Sequence, residues 1–414
     1  MRHVKYALCI NKDCNLQVEP KPDITLCPAC GEVLDIVYDY EYLKFTVDRD
    51  RLAASKEYSF WRYKPFLPVE DFSEAPPLRV GWSPLYKKHG ILDLDTLYIK
   101  DDGQNPTGSL KDRPSALCVV KAGEAGASSV ACASTGNAAS SLAGSAAAAG
   151  IPAYIFVPER APKGKLAQLL VFGAHVISVQ GDYQDAFRLS DQVIQRWGWY
   201  TRNAAINPYL MEGKKTVALE ICEQLGWQAP DWVAVSVGDG CTIAAVWKGF
   251  YDFYRMGFID KLPRLLSVQA TGCYPIHKAF RAGTEKIEPM PEDTLADSIA
   301  VGVPRNGLKS LRAIAASDGL AIEVSDREIL DAMCELGRGT GVFGEPAGVT
   351  GFAGLKKAVE QGLIRKDEKV VTIITGNGLK DTANALKAAG EPISSPPDME
   401  RLLIEFEKRG LRPE

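Results

Sequence analysis

The sequence predicts an α/β protein built of two open domains with mostly parallel sheets, preceded by a small cysteine-rich module. From about Thr96 onward, short β-branched runs alternate with longer amphipathic or alanine-rich segments, the pattern of strands joined through helices. The chain has 414 residues, beyond the size at which one core usually divides. Four of its ten cysteines, Cys9, Cys14, Cys27 and Cys30, lie close together at the start and apart from the rest.

Taken in order, residues 1–42 hold these cysteines, short β-like runs and a loop with Pro20 and Pro22, and read as a separate module. Residues 43–85 are rich in charge, aromatics and proline (Phe60-Trp61-Arg62-Tyr63, Pro76-Pro77), which suggests a connecting arm that wraps the main body. Strands are expected at 96–100, 129–133, 153–157, 175–179, 232–237, 265–270 and 369–375. Helices are expected to begin near Ser109, Asn137, Lys163, Tyr183, Met211, Thr242, Asp326 and Ala347. Gly150 and Gly173 supply the left-handed residue that closes a helix. The smaller domain is expected at 109–203, inserted in a larger one made of 43–108 and 204–414.

Composition excludes several partners. With Lys+Arg 48 against Asp+Glu 52 and a net charge of -4, the chain exerts no long-range pull on nucleic acid or anionic membrane. No apolar run reaches the roughly 18 residues of a membrane helix, and the start, Met1-Arg2-His3-Val4-Lys5, lacks a secretory signal, so a cytoplasmic protein is expected. Cys118, Cys132, Cys222, Cys241, Cys273 and Cys334 then read as buried thiols.

Four motifs carry chemistry, each at a junction of strand and helix. In Asn105-Pro106-Thr107-Gly108-Ser109-Leu110-Lys111-Asp112-Arg113, the helix dipole and the adjacent Arg113 disfavour the ammonium form of Lys111, as imine chemistry requires. A solvated lysine after a Pro-Gly turn is the plainer alternative. In Ser134-Thr135-Gly136-Asn137-Ala138-Ala139, hydroxyls, an amide and unpaired backbone N–H groups converge, suiting a carboxylate or phenolate, although a plain helix cap uses the same residues. Gly238-Asp239-Gly240-Cys241-Thr242 follows a β-branched strand and opens an apolar helix, so it can approach a phosphate closely. A dinucleotide loop would demand an acidic residue at the next strand end, where Val268-Gln269-Ala270-Thr271 stands, which disfavours a nicotinamide enzyme. In Thr375-Gly376-Asn377-Gly378-Leu379-Lys380-Asp381, a hydroxyl at a strand end could meet a ring nitrogen.

In that order, from about residue 80 to residue 381, these motifs resemble the threonine synthases, tryptophan-synthase-β-like enzymes that depend on pyridoxal phosphate. The resemblance implies the type II fold of such enzymes, with the cofactor in the cleft between two domains. It implies that Lys111 carries the cofactor as an imine and acts as catalytic base, and that Asn137 touches the ring oxygen. Gly238, Asp239, Gly240, Cys241 and Thr242 would cradle the phosphate, and Thr375 would face the ring nitrogen. Arg188 and Asn207, assisted by Ser134 and Thr135, would grip the substrate. The implied reaction turns O-phospho-L-homoserine and water into L-threonine and phosphate. The expected partners are a small phosphorylated amino acid and a second copy of the chain in a homodimer, with no nucleic acid and no membrane.

The chain departs from the family at several places. Ala138 stands where threonine is common, Asp239 and Thr242 where asparagines are common, and Leu110 and Pro114 where phenylalanine and glycine are usual. A carboxylate beside a phosphate repels it unless turned away or neutralised. β-Elimination or β-replacement on phosphoserine or a related amino acid, as in cysteate and cysteine synthases, is therefore the rival within the class. A cofactor-binding or zinc-scaffold protein without catalysis is the rival outside it, opposed by the intact Lys111. Cys27-Pro28-Ala29-Cys30 has the tight spacing that lets two thiolates face one tetrahedral ion, and with Cys9 and Cys14 it predicts a structural zinc ribbon.

Overall fold

The computed structural model of the chain describes residues 1–161 and 163–411. Its larger sheet has six strands in the order Leu320–Val324, Arg264–Ala270, Trp232–Ser236, Val370–Ile374, Leu97–Asp101 and Leu85–Lys88. Neighbours run parallel except the last pair, which is antiparallel. The smaller sheet, ordered His175–Val179, Ala153–Pro158, Val130–Ala133 and Tyr200–Thr201, is wholly parallel. Trp232–Ser236 and Val370–Ile374 are buried at every position, as strands covered on both faces must be.

All seven expected strands are present. The strands not expected, Leu85–Lys88, Tyr200–Thr201 and Leu320–Val324, lie at sheet edges. Half-exposed strands of this kind lack the continuous apolar run that marks a central one. Helices Asn137–Ala149, Lys163–Val171, Tyr183–Trp197 and Asp326–Thr340 begin where expected. Helix Pro208–Gln224 begins ahead of Met211, because Asn207 caps it by accepting from the Tyr209 N–H and Pro208 occupies its first turn. Helix Asp112–Glu124 begins later than Ser109, because Ser109 bridges to Gly376 and the Leu110 N–H donates to the Thr375 carbonyl at 2.8 Å. Those two contacts fasten the Lys111 segment to the exit of the last strand.

The N-terminal residues form an antiparallel sheet of Gln17–Val18, Val4–Cys9 and Leu34–Tyr38. This small module packs on the larger domain, where Leu34 and Ile36 join Val217, Ile221 and Phe250 in one core. Tyr38 donates to Glu212 at 2.7 Å and Lys248 to Asp35 at 2.9 Å, so the ribbon is seated on helices Pro208–Gln224 and Cys241–Met256. The arm finds its surface on helix Asp112–Glu124, where Phe60, Trp61, Val69 and Val80 pack on Ala116, Leu117 and Val120. Among the described residues no helix is long and apolar enough to cross a membrane. All ten cysteines are free; of the six outside the N-terminal group, Cys334 is only half-buried, a correction to its expected burial.

Candidate active site

Lys111 stands at the start of helix Asp112–Glu124, on the wall of a cavity of about 440 Å³ between the two sheets' domains. Its amine is brought down to about 7, first by burial and then by the charges of Lys214 and Arg202, against the opposing effect of Glu345. The sequence assigned that influence to Arg113, and the structure corrects it. Arg113 lies on another face of the helix, fully buried, with its guanidinium on Asp102 (2.7 and 2.8 Å), Glu220 and Thr216. It anchors the segment beneath Lys111 rather than tuning the amine.

Asn137, Gly238, Asp239, Gly240, Cys241, Thr242 and Thr375 line the same cavity, so the four motifs meet in one place. The loop 238–242 needs its glycines. A Cβ on Gly238 would lie 2.8 Å from the Ile299 Cα, and Gly240 has φ +91° with the Asn306 carbonyl 2.7 Å from where its Cβ would be. Among the described residues, the amides of Gly238 through Thr242 have no acceptor within the protein, and they open helix Cys241–Met256. This is an anion cradle. The Asp239 carboxylate, the doubtful member, accepts from the Arg305 N–H at 2.9 Å, Asn306 Nδ2 at 3.0 Å and the Cys241 thiol at 3.0 Å, which occupies it on the side of the Arg305–Asn306 loop. The Thr375 hydroxyl has no partner among the described residues, and only its carbonyl is used, by Leu110.

The structure does not bring the four expected substrate residues to the cavity. Arg188 is exposed and paired with Asp185 on its own helix. Asn207 is buried, with both ends of its amide committed, one to the Tyr209 N–H and the other to the Thr201 carbonyl at 3.1 Å. Ser134 accepts from the Gly136 N–H at 3.2 Å, and neither it nor Thr135 lines the cavity.

Sequence reasoning missed other residues that do line it. Arg202 donates to Ser115 Oγ at 2.9 Å and to the Lys111 carbonyl at 3.3 Å. Glu345 accepts from Asn137 Nδ2 at 2.6 Å and is raised above the usual carboxylate range by burial. Its signal was legible: Glu345-Pro346 is a residue followed by proline at a helix start. Lys214, Arg305 and Ser298 also line it.

Away from the cavity, the sulfurs of Cys9, Cys14, Cys27 and Cys30 all lie within 4.8 Å of one another, with Cys9 to Cys30 at 3.5 Å and Cys14 to Cys27 at 3.7 Å. Thiolates roughly 2.3 Å from one tetrahedral ion stand about 3.8 Å apart. The four-sulfur set is compatible with a structural zinc ion and leaves no position open for catalysis.

Residues 77–376 match the family model described as pyridoxal-phosphate dependent enzyme. The chain is 44% identical over 375 residues to the threonine synthase of Methanocaldococcus jannaschii, covering 89% of this chain and 92% of that protein. It is 40% identical over 397 residues to the threonine synthase of Methanosarcina acetivorans, covering 95% of each. Among solved structures it resembles the processed threonine deaminase isoform 2 of Solanum lycopersicum, with TM-score 0.65 over 83% of this chain and 95% of that one. At 21% identity that likeness speaks for the fold alone. The fold is the type II architecture, and the agreement in sequence shows the rest: the chain belongs to the pyridoxal-phosphate dependent enzymes, among the threonine synthases.

Proposed function

We propose that this protein converts O-phospho-L-homoserine and water into L-threonine and phosphate. The observation that carries the reading is the meeting of Lys111, Asn137, the 238–242 cradle and Thr375 in one cavity, in a chain 44% identical to a threonine synthase. Bound pyridoxal phosphate supplies an electron sink for charge developing at the substrate α-carbon.

The chain's own residues do the rest. Lys111, neutral above about pH 7, removes and returns the proton at the α-carbon. Arg202 holds the Lys111 carbonyl and so fixes the helix start from which that amine projects. Asn137, oriented by Glu345, would hold the cofactor's ring oxygen, and the Thr375 hydroxyl, free among the described residues, would hold its ring nitrogen. The backbone amides of 238–242 would hold the cofactor phosphate. Ala138 gives the substrate side of the cavity an apolar surface where a hydroxyl would otherwise hold water or phosphate. The homodimer and the cytoplasmic location belong to the same proposal and rest on the family resemblance.

Incubation with phosphohomoserine should release phosphate and yield threonine in equal amounts. Preference for phosphoserine, with phosphate released and no threonine formed, would overturn the reading in favour of β-replacement.

A further inference from the structure

Two adjacent lysines of helix Pro208–Gln224 have opposite fates. Lys215 is fully buried and ion-paired with Glu212 and Asp252, both at 2.6 Å. Lys214 is also buried, at 3% exposure, yet among the described residues its ammonium has no hydrogen-bond or ion-pair partner, and it lines the cavity. The Lys214 stem is packed while its ammonium opens onto the cavity, where an anionic ligand can meet it.

Close packing decides where that charge sits. A Cβ on Gly213 would lie 2.7 Å from the Arg113 carbonyl oxygen, so the lysine helix is pressed against the start of the Lys111 helix. On its other side the helix packs on Cys241–Met256, where Gly249 lets the Lys215 carbonyl approach closely. Lys214 is thereby held between Lys111 and the Cys241 end of the cradle. Electrostatics agree: Lys214 is the first charge to depress the Lys111 amine and the first to oppose the burial of the Cys241 thiol.

We infer that Lys214 is the side-chain cation that binds the cofactor's phosphate, completing a cradle otherwise made of backbone amides. The inference rests on the pyridoxal-phosphate assignment. A phosphate dianion held by neutral amides and a helix dipole still carries most of its charge, and the one charged side chain within the loop, Asp239, has the wrong sign and is occupied by Arg305, Asn306 and Cys241. Lys214 supplies the missing cation from a neighbouring helix. Arg202 is already committed to Ser115 and the Lys111 carbonyl, and Arg305 is exposed.

The test compares pyridoxal phosphate with pyridoxal, which lacks the phosphate but reacts with the same lysine. Apoenzyme of wild type, Lys214→Gln and Lys214→Arg is titrated with each, following the visible absorbance of the bound form. Loss of one charge-assisted contact should weaken pyridoxal phosphate in Lys214→Gln by roughly 10- to 100-fold. Pyridoxal should change by less than about 3-fold, and Lys214→Arg should recover most of the loss. Any change in the basicity of Lys111 affects both ligands alike and cancels in the ratio. In wild-type apoenzyme, inorganic phosphate should also protect Lys214 from an amine-reactive label read by mass spectrometry, a measurement that needs no variant to fold.

Equal weakening of both ligands would overturn the inference. So would unchanged pyridoxal-phosphate affinity with a raised KM for phosphohomoserine, which would move Lys214 to the substrate's phosphate, and so would labelling of Lys214 indifferent to inorganic phosphate. Failure of wild type itself to bind pyridoxal phosphate would instead count against the cofactor assignment.

Discussion

Replacing Arg113 with methionine removes the cation that joins three elements under Lys111. In the native protein its guanidinium contacts Asp102 at 2.7 and 2.8 Å, Glu220 at 2.5 and 2.8 Å and Thr216 at 2.9 Å, and Arg113, Asp102 and Glu220 all have 0% exposure. Burial alone would raise the Glu220 carboxyl; Arg113 and then Lys100 more than offset this and hold it at about 2. After the change Glu220 keeps Lys100 at 2.7 Å, but Asp102 keeps only the Ser83 hydroxyl at 2.5 Å. Breaking a buried ion pair from one side costs about 3–5 kcal/mol, because the remaining charge is stranded. For a protein of this size that is a fall in Tm of roughly 3–6 °C.

The pH dependence follows from the sign of the shift. Glu220 is held low in the native fold by Arg113 first and Lys100 second, so its contribution to stability is present above the unfolded carboxyl value and is lost as pH falls toward about 2. Removing Arg113 takes away part of that contribution, so thermal unfolding should show the full deficit at pH 7 and a smaller one at pH 3, and Arg113→Met with Asp102→Asn should recover part of it. A loss under about 1 kcal/mol, or a deficit larger at pH 3 than at pH 7, would refute the reasoning.

Three further outcomes are expected. Metal analysis of protein prepared without chelator should find one zinc per chain on Cys9, Cys14, Cys27 and Cys30, and its removal should lower Tm before it affects turnover. Arg188→Ala should leave KM for phosphohomoserine within about twofold, because exposed pairs such as Arg188 with Asp185 contribute little; a tenfold rise would return Arg188 to the substrate site. Attachment of pyridoxal phosphate to apoenzyme should accelerate as pH rises through about 7, where the depressed Lys111 amine loses its proton, and an inflection near the ordinary lysine value of about 10.4 would contradict that depression.

Much of this fold was legible because buried parallel strands announce themselves. Trp232–Ser236 and Val370–Ile374 are β-branched runs bounded by glycine loops, and the loops that follow them are the cofactor motifs. Leu320–Val324 escaped because Glu323 interrupts an otherwise apolar run of Leu320, Ala321, Ile322 and Val324 at a sheet edge. The cations were hidden for a different reason. Lys214 and Lys215 are identical neighbours in the sequence, and only packing against Arg113 on one side and Gly249 on the other determines which faces the cavity. Arg188 misled because an arginine on an amphipathic helix looks the same whether it meets a ligand or solvent, while Asn207 is a helix cap whose amide bonds Tyr209 and Thr201.

The central claim is that Lys111 carries pyridoxal phosphate in this cavity. Borohydride reduction of the holoenzyme followed by peptide mapping tests it most directly. The account predicts one reduced cofactor per chain, on Lys111, and none on Lys214 although it lines the same cavity. Cofactor reduced onto any other lysine, or full turnover by Lys111→Ala, would contradict it.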